Sequence, residues 1–396
     1  MTLVRTLVRQ KWLASCTAVL AASAVLAGCG SSGSDSGSDS GSGSTTSGKD
    51  SSASGLATAE KKVAALQAVA KTYPVPTASV PGVDKFKGRK VFYIPIVQQV
   101  PAFVATAGST KQALSKAGLS QQVCDGKAQP TAIAACVQQA ITADAAGIIL
   151  DAIPYGMAQN ALNAAKAKGI PIVIADQNPP TGVENSNQVS YVPGASSQAT
   201  AMAWWIIADS KGKADLIIAQ NADSPTAIKM VADSLPIYKK YCPGCKVTVK
   251  QITASTPALL ASKASSNVLS NPNATYYYTE FEDSLQATLQ GVQQSGRSAG
   301  VSVSTAAGSV NGLGLIKTGS VKAVVAADQL YMGYGVTDEL LRMMTESGPI
   351  DEAQPMRLFT KDNIGSIKVT AAAQASGEWF GDGSFQADFA KLWGIG

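Results

Sequence analysis

The strongest constraint on the fold is a regular alternation of two kinds of segment from residue 90 onward. Runs such as 91–96 and 147–153 have the length of a strand and are apolar at nearly every position. Between them, segments such as 131–142 place apolar residues at helical spacing. Strands that are buried on both faces have continuous apolar runs, and the helices that alternate with them connect parallel strands. The sequence therefore predicts an α/β fold with parallel sheets.

The alternation restarts after residue 196 and continues to residue 346. The two series together contain more strand and helix units than one compact sheet usually holds. A chain of 396 residues, of which 45% are hydrophobic, is long enough and apolar enough for two cores. We therefore expect two similar lobes.

Polar side chains follow several of the predicted strands. In open α/β sheets, ligands bind outside the carboxyl ends of the strands, so two lobes that face each other at these ends would form a binding cleft. A carboxylate there can accept hydrogen bonds from two hydroxyl groups, although the same side chain could instead cap the following helix. The strand-end candidates are Asp151, Asp176, Gln177, Asn221, Glu280, Asp328 and Gln329.

Three segments resemble, in their order along the chain, the type I periplasmic sugar-binding proteins of bacterial ABC importers, which are similar to ribose-binding protein. The segments read KGIPIV at 168–173, AADQLYMG at 326–333 and LFTKDN at 358–363. The resemblance covers roughly residues 90–363. It implies two Rossmann-like lobes that close on a small solute and present the closed form to an ABC permease in the membrane.

The same resemblance implies a hinge that the chain crosses three times, near Pro193, Asp328 and Pro355. Lobe one would then comprise residues 85–192 plus 329–355, and lobe two would comprise residues 193–328 plus 356–396.

Further site candidates come from the loops beside these strands. Phe103 lies where the family places an aromatic ring that stacks on a sugar, although it could also belong to a helix core. Glu282 and Asp283, together with Glu280, occupy the place of a strand-end contact of the family. Gln98, Gln99 and Tyr155 lie close enough to strand ends to bind hydroxyl groups.

The candidates include many carboxylates and no arginine. Arg89, Arg297, Arg342 and Arg357 fall on strand starts, turns or helix faces, whereas several family members use arginines in the pocket. Phosphorylated or carboxylated ligands need a positive partner. We therefore expect a neutral sugar or polyol, or a ligand that carries an amine.

Histidine is absent, which excludes Ser-His-Asp and Cys-His catalysis and histidine-ligated metals. We expect a binding protein that is not an enzyme and that has no cofactor and no metal. Two alternatives remain open: a sensor subunit that presents its ligand to a membrane receptor, and a surface glycoside hydrolase that uses two carboxylates. We expect a monomer.

The first 28 residues have the features of a secretory signal peptide, with a basic start and an apolar run. Leu26-Ala27-Gly28-Cys29 resembles the lipobox of bacterial lipoproteins, which implies that Cys29 carries the lipid and anchors the protein to the outer face of the cell membrane. Residues 29–55 read as a Ser/Gly-rich linker, and residues 56–84 as an entry helix and loop.

Removing the signal peptide removes three of the 32 Lys and Arg residues and leaves 29 against 27 Asp and Glu. This near-neutral charge gives no electrostatic case for binding nucleic acid.

Four cysteines remain after residue 29, which is an even number for an exported protein. They form two local pairs, Cys124 with Cys136 and Cys242 with Cys245, which indicate disulfides. The second pair has CxxC spacing, but it follows a helix instead of preceding one, which favours a structural role over a redox role.

Overall fold

The computed structural model describes residues 47–194, 196–253, 256–351 and 353–395. The predicted signal peptide, Cys29 and the linker up to residue 46 lie outside the described residues. The first described element is helix α1 (Ser47–Gln67), which begins inside the predicted linker. Within the described part of the chain, no helix is both long and apolar enough to cross a membrane.

Lobe one contains a sheet of five parallel strands in the order β2-β1-β3-β4-β5. Neighbouring residues of one strand alternate between two cores: Val91 and Tyr93 enter one hydrophobic cluster, whereas Phe92 and Ile94 enter the other. Helices therefore cover both faces. The elements are β1 (Lys90–Pro95), α2 (Pro101–Lys116), β2 (Ser120–Val123), α3 (Pro130–Thr142), β3 (Gly147–Asp151), α4 (Gln159–Ala167), β4 (Ile172–Ala175) and β5 (Val189–Val192).

Lobe two contains a six-stranded sheet in the order β11-β10-β9-β8-β6-β7, in which only β11 runs antiparallel to its neighbour. The predicted pair of α/β lobes is therefore confirmed. The elements of lobe two are α5 (Gln198–Asp209), β6 (Asp215–Asn221), α6 (Pro225–Tyr241), β7 (Lys246–Ile252), α7 (Leu260–Leu269), β8 (Tyr276–Thr279), α8 (Leu285–Gln294), β9 (Ser302–Thr305), α9 (Val310–Lys317), β10 (Ala323–Ala327), β11 (Met356–Thr360) and α11 (Ala371–Ala375). Two helices of this part of the chain, α10 (Gln329–Met344) and α12 (Phe385–Leu392), pack on lobe one instead.

The chain passes between the lobes where β5 leads to α5, where β10 leads to α10, and where α10 leads to β11. Helix α10 follows a strand of lobe two but packs on α2, β3, β4 and β5 of lobe one. Strand β11 then returns to the sheet of lobe two. These passages lie at residues 193–197, at Asp328 and at residues 345–355.

Two further passages join the lobes near the ends of the described chain. Helix α1 packs on α5, α6 and β11 of lobe two, and the chain then reaches lobe one, where Val83 is buried. Near the carboxyl end, Phe380 is buried in lobe two, whereas α12 packs on α10 in lobe one. The two passages run side by side, since Ala70 N donates to Phe380 O at 2.8 Å.

The carboxyl-terminal segment corrects one predicted boundary. The sequence analysis placed residues 356–396 in lobe two, but Phe385, Phe389 and Trp393 lie in the core of lobe one. These three aromatic residues recur every four positions and form one face, which packs against Tyr334 of α10. The prediction was wrong for this helix because its order in the chain does not show which core receives an aromatic face.

Both predicted disulfides are present, one in each lobe. Cys124 and Cys136 have a Cα–Cα distance of 5.8 Å and join the end of β2 to α3. Cys242 and Cys245, with a Cα–Cα distance of 5.3 Å, close the turn between α6 and β7. Each bridge fixes a loop that connects a strand and a helix on its own lobe.

Candidate ligand-binding cleft

The carboxyl edges of the two sheets meet at a contact between the lobes. Gln177 follows β4 of lobe one, and Thr226 lies in the first turn of α6, just after β6 of lobe two. The Thr226 hydroxyl donates to Gln177 Oε1 at 3.1 Å and accepts from the Asn178 backbone N–H at 3.1 Å. The ends of β4 and β6 are therefore brought together, as a cleft between the lobes requires.

Lobe one contributes a pair of carboxyl groups. Asp151 is the last residue of β3 and is fully buried, and its Oδ2 accepts a short hydrogen bond from the Tyr93 hydroxyl. Asp176 directly follows Ala175, which pairs with Asp151 in the sheet, so the two carboxyl groups are neighbours. Burial raises the pKa of both groups, and the Asp151 charge raises the pKa of Asp176 further. Two neighbouring buried carboxyl groups favour a state in which one of them holds a proton.

Lobe two contributes Glu280, which follows β8 and is fully buried. Its Oε2 accepts from the Asn221 backbone N–H at 2.9 Å, which ties the ends of β8 and β6 together. Its Oε1 has no hydrogen-bond partner among the described residues. Burial raises the pKa of Glu280 to about 8. The side chain of Asn221 accepts from the Asp223 N–H at 2.9 Å and so stays within its own turn.

Asp328 can serve both as a helix cap and as a ligand contact. It is the N-cap of α10, and its Oδ1 accepts from Leu330 N at 3.0 Å and Tyr331 N at 3.1 Å. Its Oδ2 is buried and has no partner in the described part of the chain, and the same holds for Oε1 of Gln329. Burial raises the pKa of Asp328 to about 7. One oxygen therefore holds the helix, and the other remains free to bind.

The hinge brings Asp176 close to Asp328. Gln354 Nε2 donates to Asp328 O at 3.0 Å. A Cβ atom added to Gly194 would lie 2.0 Å from Asp176 Oδ1 and 3.1 Å from Gln354 Oε1, so both oxygens border the same point of the backbone. Gly194 has φ +60°, and any side chain there would displace these two groups.

A cavity of about 290 Å³ also lies at the hinge. It is lined by Pro193, Gly194, Ser196, Ser197, Asp351, Ala353 and Gln354.

The strand-end carboxylates have no cationic partner within the described residues. None of the ion pairs includes Asp151, Asp176, Glu280 or Asp328. Neither a lysine nor an arginine lowers the pKa of any of them. In the same part of the chain, no group of three or more Cys, Asp or Glu could hold a metal ion. The site is therefore rich in carboxyl groups and receives no positive charge from the described residues.

Three of the predicted site residues bind inside lobe one. Gln98 N and Gln99 Nε2 both donate to Asp125, each at 3.0 Å. The Tyr155 hydroxyl donates to Asn163 Oδ1 on α4 at 2.7 Å, and its ring packs on the core of lobe one. These contacts hold the loops after β1 and β3.

Phe103 lies in the first turn of α2 and is half-buried. Its ring belongs to neither hydrophobic cluster described for lobe one, which speaks against the alternative that it is a core residue. Its carbonyl accepts from the Tyr93 hydroxyl at 3.4 Å, so Phe103 lies near the carboxyl pair.

Two predicted residues of lobe two have local roles. Glu282 accepts hydrogen bonds from the N–H and the hydroxyl of Ser309 and so holds the start of α9. Asp283 is exposed and accepts from the Ser284 hydroxyl at 3.2 Å. The charge of Asp283 raises the pKa of Glu280, so Asp283 lies near that side chain. The hydrogen bonds of Glu282 described here go to Ser309, at the margin of the site.

Three residues of the cleft were missed by the sequence analysis. Tyr93 lies inside an apolar strand, where its hydroxyl gives no distinct signal. Thr226 is one of several small polar residues at helix starts. Gln354 lies next to the predicted crossing at Pro355, and that position was the only available signal for it.

A family model for the periplasmic binding protein domain matches residues 91–347, which is more than half of the chain. The chain belongs to the periplasmic binding protein family. The match covers most of both lobes and includes the passages at residues 193–197 and at Asp328. No protein of curated function matches the sequence at a significant level.

Solved structures with the same fold include solute-binding proteins of sugar transporters. One is the 5-methylthioribose transporter solute-binding protein of Thermotoga lettingae TMO, with 14% identity, a TM-score of 0.63, and coverage of 80% of this chain and 99% of that one. Another is an ABC transporter solute-binding protein of Agrobacterium vitis with bound allitol, with 15% identity, a TM-score of 0.60, and coverage of 71% and 98%.

A third is GanP, a glucose-galactose binding protein of Geobacillus stearothermophilus, with 16% identity, a TM-score of 0.62, and coverage of 70% and 99%. At this identity the likeness establishes the fold, which is the type I periplasmic binding protein fold that the sequence predicted.

Proposed function

We propose that this protein is the substrate-binding component of an ABC importer and captures a sugar or polyol between its lobes. One observation carries the proposal: Asp151, Glu280 and Asp328 are fully buried at strand ends of both sheets, and each keeps an oxygen without a donor among the described residues. The hydroxyl groups of a sugar or polyol are donors that such oxygens accept. The transporter proteins of similar fold, named for methylthioribose and for glucose and galactose, support the same ligand class.

In this proposal the remaining strand-end and loop residues complete the site. Phe103 stacks on the apolar face of the solute, as a half-buried ring outside the core can do. Asp176, Gln329 and the loop of Gln98 and Gln99 supply further contacts from lobe one and the hinge. Asn221 and Gln177 border the solute where the lobes meet, and Glu282, Asp283 and Tyr155 support the loops around it.

Binding would close the lobes about the hinge, and a monomer in the closed form would dock on its permease. The protein would perform no chemistry, so a bound solute would be recovered unchanged. The membership of a binding-protein family supports this reading over a hydrolase.

The proposal includes a lipid anchor at Cys29 and a location on the outer face of the cell membrane. It is supported by the lipobox-like Leu26-Ala27-Gly28-Cys29 after an apolar run. Two or more acyl chains anchor a protein stably, since each buried CH₂ contributes about 0.8 kcal/mol. Metabolic labelling with radioactive palmitate tests the anchor: the wild type should be labelled and the Cys29→Ala variant should not. An unlabelled wild type would contradict it.

A thermal-shift screen of the purified protein against sugars, polyols, nucleosides and amino acids tests the binding function. A solute present at 100 times its Kd stabilises the folded protein by about 2.7 kcal/mol. We expect at least one sugar or polyol, or an amino derivative of one, to raise the Tm in proportion to the logarithm of its concentration. A screen in which only amino acids or nucleosides shift the Tm would contradict the ligand class.

A further inference from the structure

We infer, as an extension of the proposed binding function, that the solute carries a protonated amine in addition to hydroxyl groups, and that the carboxyl pair of Asp151 and Asp176 binds this amine. The inference rests on which atoms of the cleft lack partners, on the charge of the site, and on the contacts of the pair.

The unpartnered buried atoms at the cleft are mostly acceptors. The amide groups could be placed in either of two orientations, but a carboxylate oxygen accepts in both. Carboxylate oxygens from β3, from the end of β8 and from the start of α10 are all in this class. The oxygens are Asp151 Oδ1, Glu280 Oε1, Asp328 Oδ2, Gln329 Oε1 and Gln354 Oε1, and the one nitrogen among the cleft residues is Asn178 Nδ2. Such a set fits a ligand that is rich in donors.

Charge distinguishes an amine from a hydroxyl group as the donor. A sugar hydroxyl can satisfy the hydrogen bonds of a carboxylate, but it leaves the buried negative charge without a partner, which is costly. An ammonium group offers three donors and the opposite charge. Since no lysine or arginine of the described chain pairs with these carboxylates, the ligand is the available source of positive charge.

Among the strand-end carboxylates, the pair of lobe one is the best placed to bind the amine. The Tyr93 hydroxyl donates to Asp151 Oδ2 and so leaves Oδ1 directed elsewhere. Glu280 and Asp328 each use one oxygen to accept from backbone N–H groups, whereas Asp151 and Asp176 lie at neighbouring positions at the ends of β3 and β4. Only the pair therefore offers two carboxyl groups to a single cation.

The carboxyl pair also predicts that a proton is released when an amine binds. The titratable groups that act on the pair are Tyr93 and the two carboxyl groups themselves. Without a cation, burial and the charge of the neighbouring Asp151 raise the pKa of Asp176 and so favour its protonated form. An ammonium group that binds both of them replaces this proton, which passes to the solvent. Binding of the amine should therefore release about one proton per solute, whereas binding of a neutral sugar should release none.

Calorimetric titrations with matched ligands test the inference. The panel compares glucose with glucosamine, galactose with galactosamine, mannose with mannosamine, and sorbitol with 1-amino-1-deoxysorbitol, with the N-acetylated amino sugars as neutral controls of larger size. We expect the amine to bind at least tenfold more tightly than its neutral counterpart in at least one pair. Titrations at pH 6 in buffers of different ionisation enthalpy should show release of about one proton.

The variant Asp176→Asn tests the assignment to the pair. Asp176 has φ +54°, a conformation that asparagine also adopts, so the backbone should be preserved. The variant should lose the preference for the amine, whereas Asp144→Asn should keep it, because the Asp144 side chain is 93% exposed on the same lobe. Thermal unfolding establishes whether each variant is folded, and the proton release of the wild type decides the question if Asp176→Asn is not.

The outcomes separate this inference from the proposed function. Neutral sugars that bind as tightly as the amines, or binding of an amine without proton release, would overturn the inference and leave the proposed function intact. A preference for the amine that persists in folded Asp176→Asn would overturn the assignment to the pair. A panel in which nothing binds would count against both.

Discussion

Buried carboxylates occur in two settings in this protein, and the chain treats them differently. Asp338 on α10 is fully buried, and it accepts from Arg342 Nε at 2.7 Å and from Trp393 Nε1 at 2.6 Å. Glu280 is equally buried, but among the described residues it receives one backbone N–H, from Asn221, and no cation. A carboxylate that holds the fold receives its partners from the chain, whereas one at the cleft keeps an oxygen for a partner from outside.

The two buried carboxylates also differ in whether a positive charge lies beside them. The Arg342 guanidinium carries the charge that Asp338 needs, and its NH2 group donates to the Ala78 carbonyl at 2.7 Å. Glu280 has no such neighbour, and burial raises its pKa to about 8. Without a ligand, the buried carboxyl group of Glu280 is therefore unfavourable to stability, and a bound ligand can offset this unfavourable free energy. The ion pair of Asp338 and Arg342 instead stabilises the segment that leads to Val80.

The largest expected effect comes from breaking the pair on α10. In Arg342→Met, Asp338 stays buried without its countercharge, which should lower the free energy of unfolding by about 3–5 kcal/mol. Urea denaturation measures this change. The double variant Asp338→Leu with Arg342→Met should recover much of the loss, because it removes the uncompensated charge. A single variant that is as stable as the wild type would remove the contrast between the two settings.

The next effect concerns pH and Glu280. Its pKa is raised from 4.5 to about 8, so the folded state binds more protons than the unfolded state between these values. Stability is therefore highest below pH 4.5 with respect to this group, falls as the pH rises, and levels off above pH 8. At about 1.4 kcal/mol per pKa unit, the change of the pKa from 4.5 to about 8 corresponds to a loss of at most about 5 kcal/mol over this range. Denaturation at several pH values should show a smaller slope in Glu280→Gln.

The same slope in Glu280→Gln and in the wild type would show that Glu280 does not ionise in this window. A matched control is Asp215→Asn. Asp215 begins β6, at the end of the strand away from Asn221 and Glu280, and it pairs with Lys246 at 3.5 Å. This variant should leave the slope between pH 4.5 and pH 8 unchanged.

A smaller effect is expected for Tyr93. In Tyr93→Phe, the hydrogen bond to Asp151 is lost, and the carboxyl pair can turn away from the solute. We expect an affinity about tenfold lower for the solute found in the screen, since a hydrogen bond to a charged group contributes about 1.5–3 kcal/mol. Tyr155→Phe is the control, because the Tyr155 hydroxyl binds Asn163 within lobe one. An equal loss of solute affinity in the two variants would show that the Tyr93 hydroxyl does not contribute specifically to binding.

The smallest effect is expected on the surface. Lys229 and Asp233 form an ion pair at 2.8 Å on α6, where both side chains are more than half exposed. In Asp233→Asn, the free energy of unfolding should change by no more than about 0.5 kcal/mol, and solute affinity should not change. Denaturation and titration check both values. A loss above 1 kcal/mol would mean that exposure is a poor guide to the role of a carboxylate here.

The sequence predicted the parts of the fold that depend on repeated local patterns. The continuous apolar strands and the helices between them led to two parallel sheets, because burial on both faces is visible in each strand. Strand β5 was missed, since Val189–Val192 is short and follows a long polar loop. The prediction that α12 belongs to lobe two was wrong, because the aromatic face of a helix indicates that it packs on a core but not which of the two cores.

The candidate site was predictable where a carboxylate directly follows an apolar strand. Asp151, Glu280 and Asp328 were found in this way, and each has an oxygen without a hydrogen-bond partner among the residues that the structure describes. Glu282 follows the same strand as Glu280, but its partner Ser309 lies 27 positions further along the chain, so its role required the tertiary structure. Tyr93 was hidden for the same reason, since its contact with Asp151 spans 58 positions.

A crystal structure of the protein with the solute that raises its Tm tests the central claim most directly. We predict that the solute lies between the lobes, with donor groups within hydrogen-bond distance of Asp151 Oδ1, Glu280 Oε1 and Asp328 Oδ2. A solute bound instead in the hinge cavity lined by Pro193, Ser197 and Asp351, with these three oxygens still unpartnered, would contradict the account.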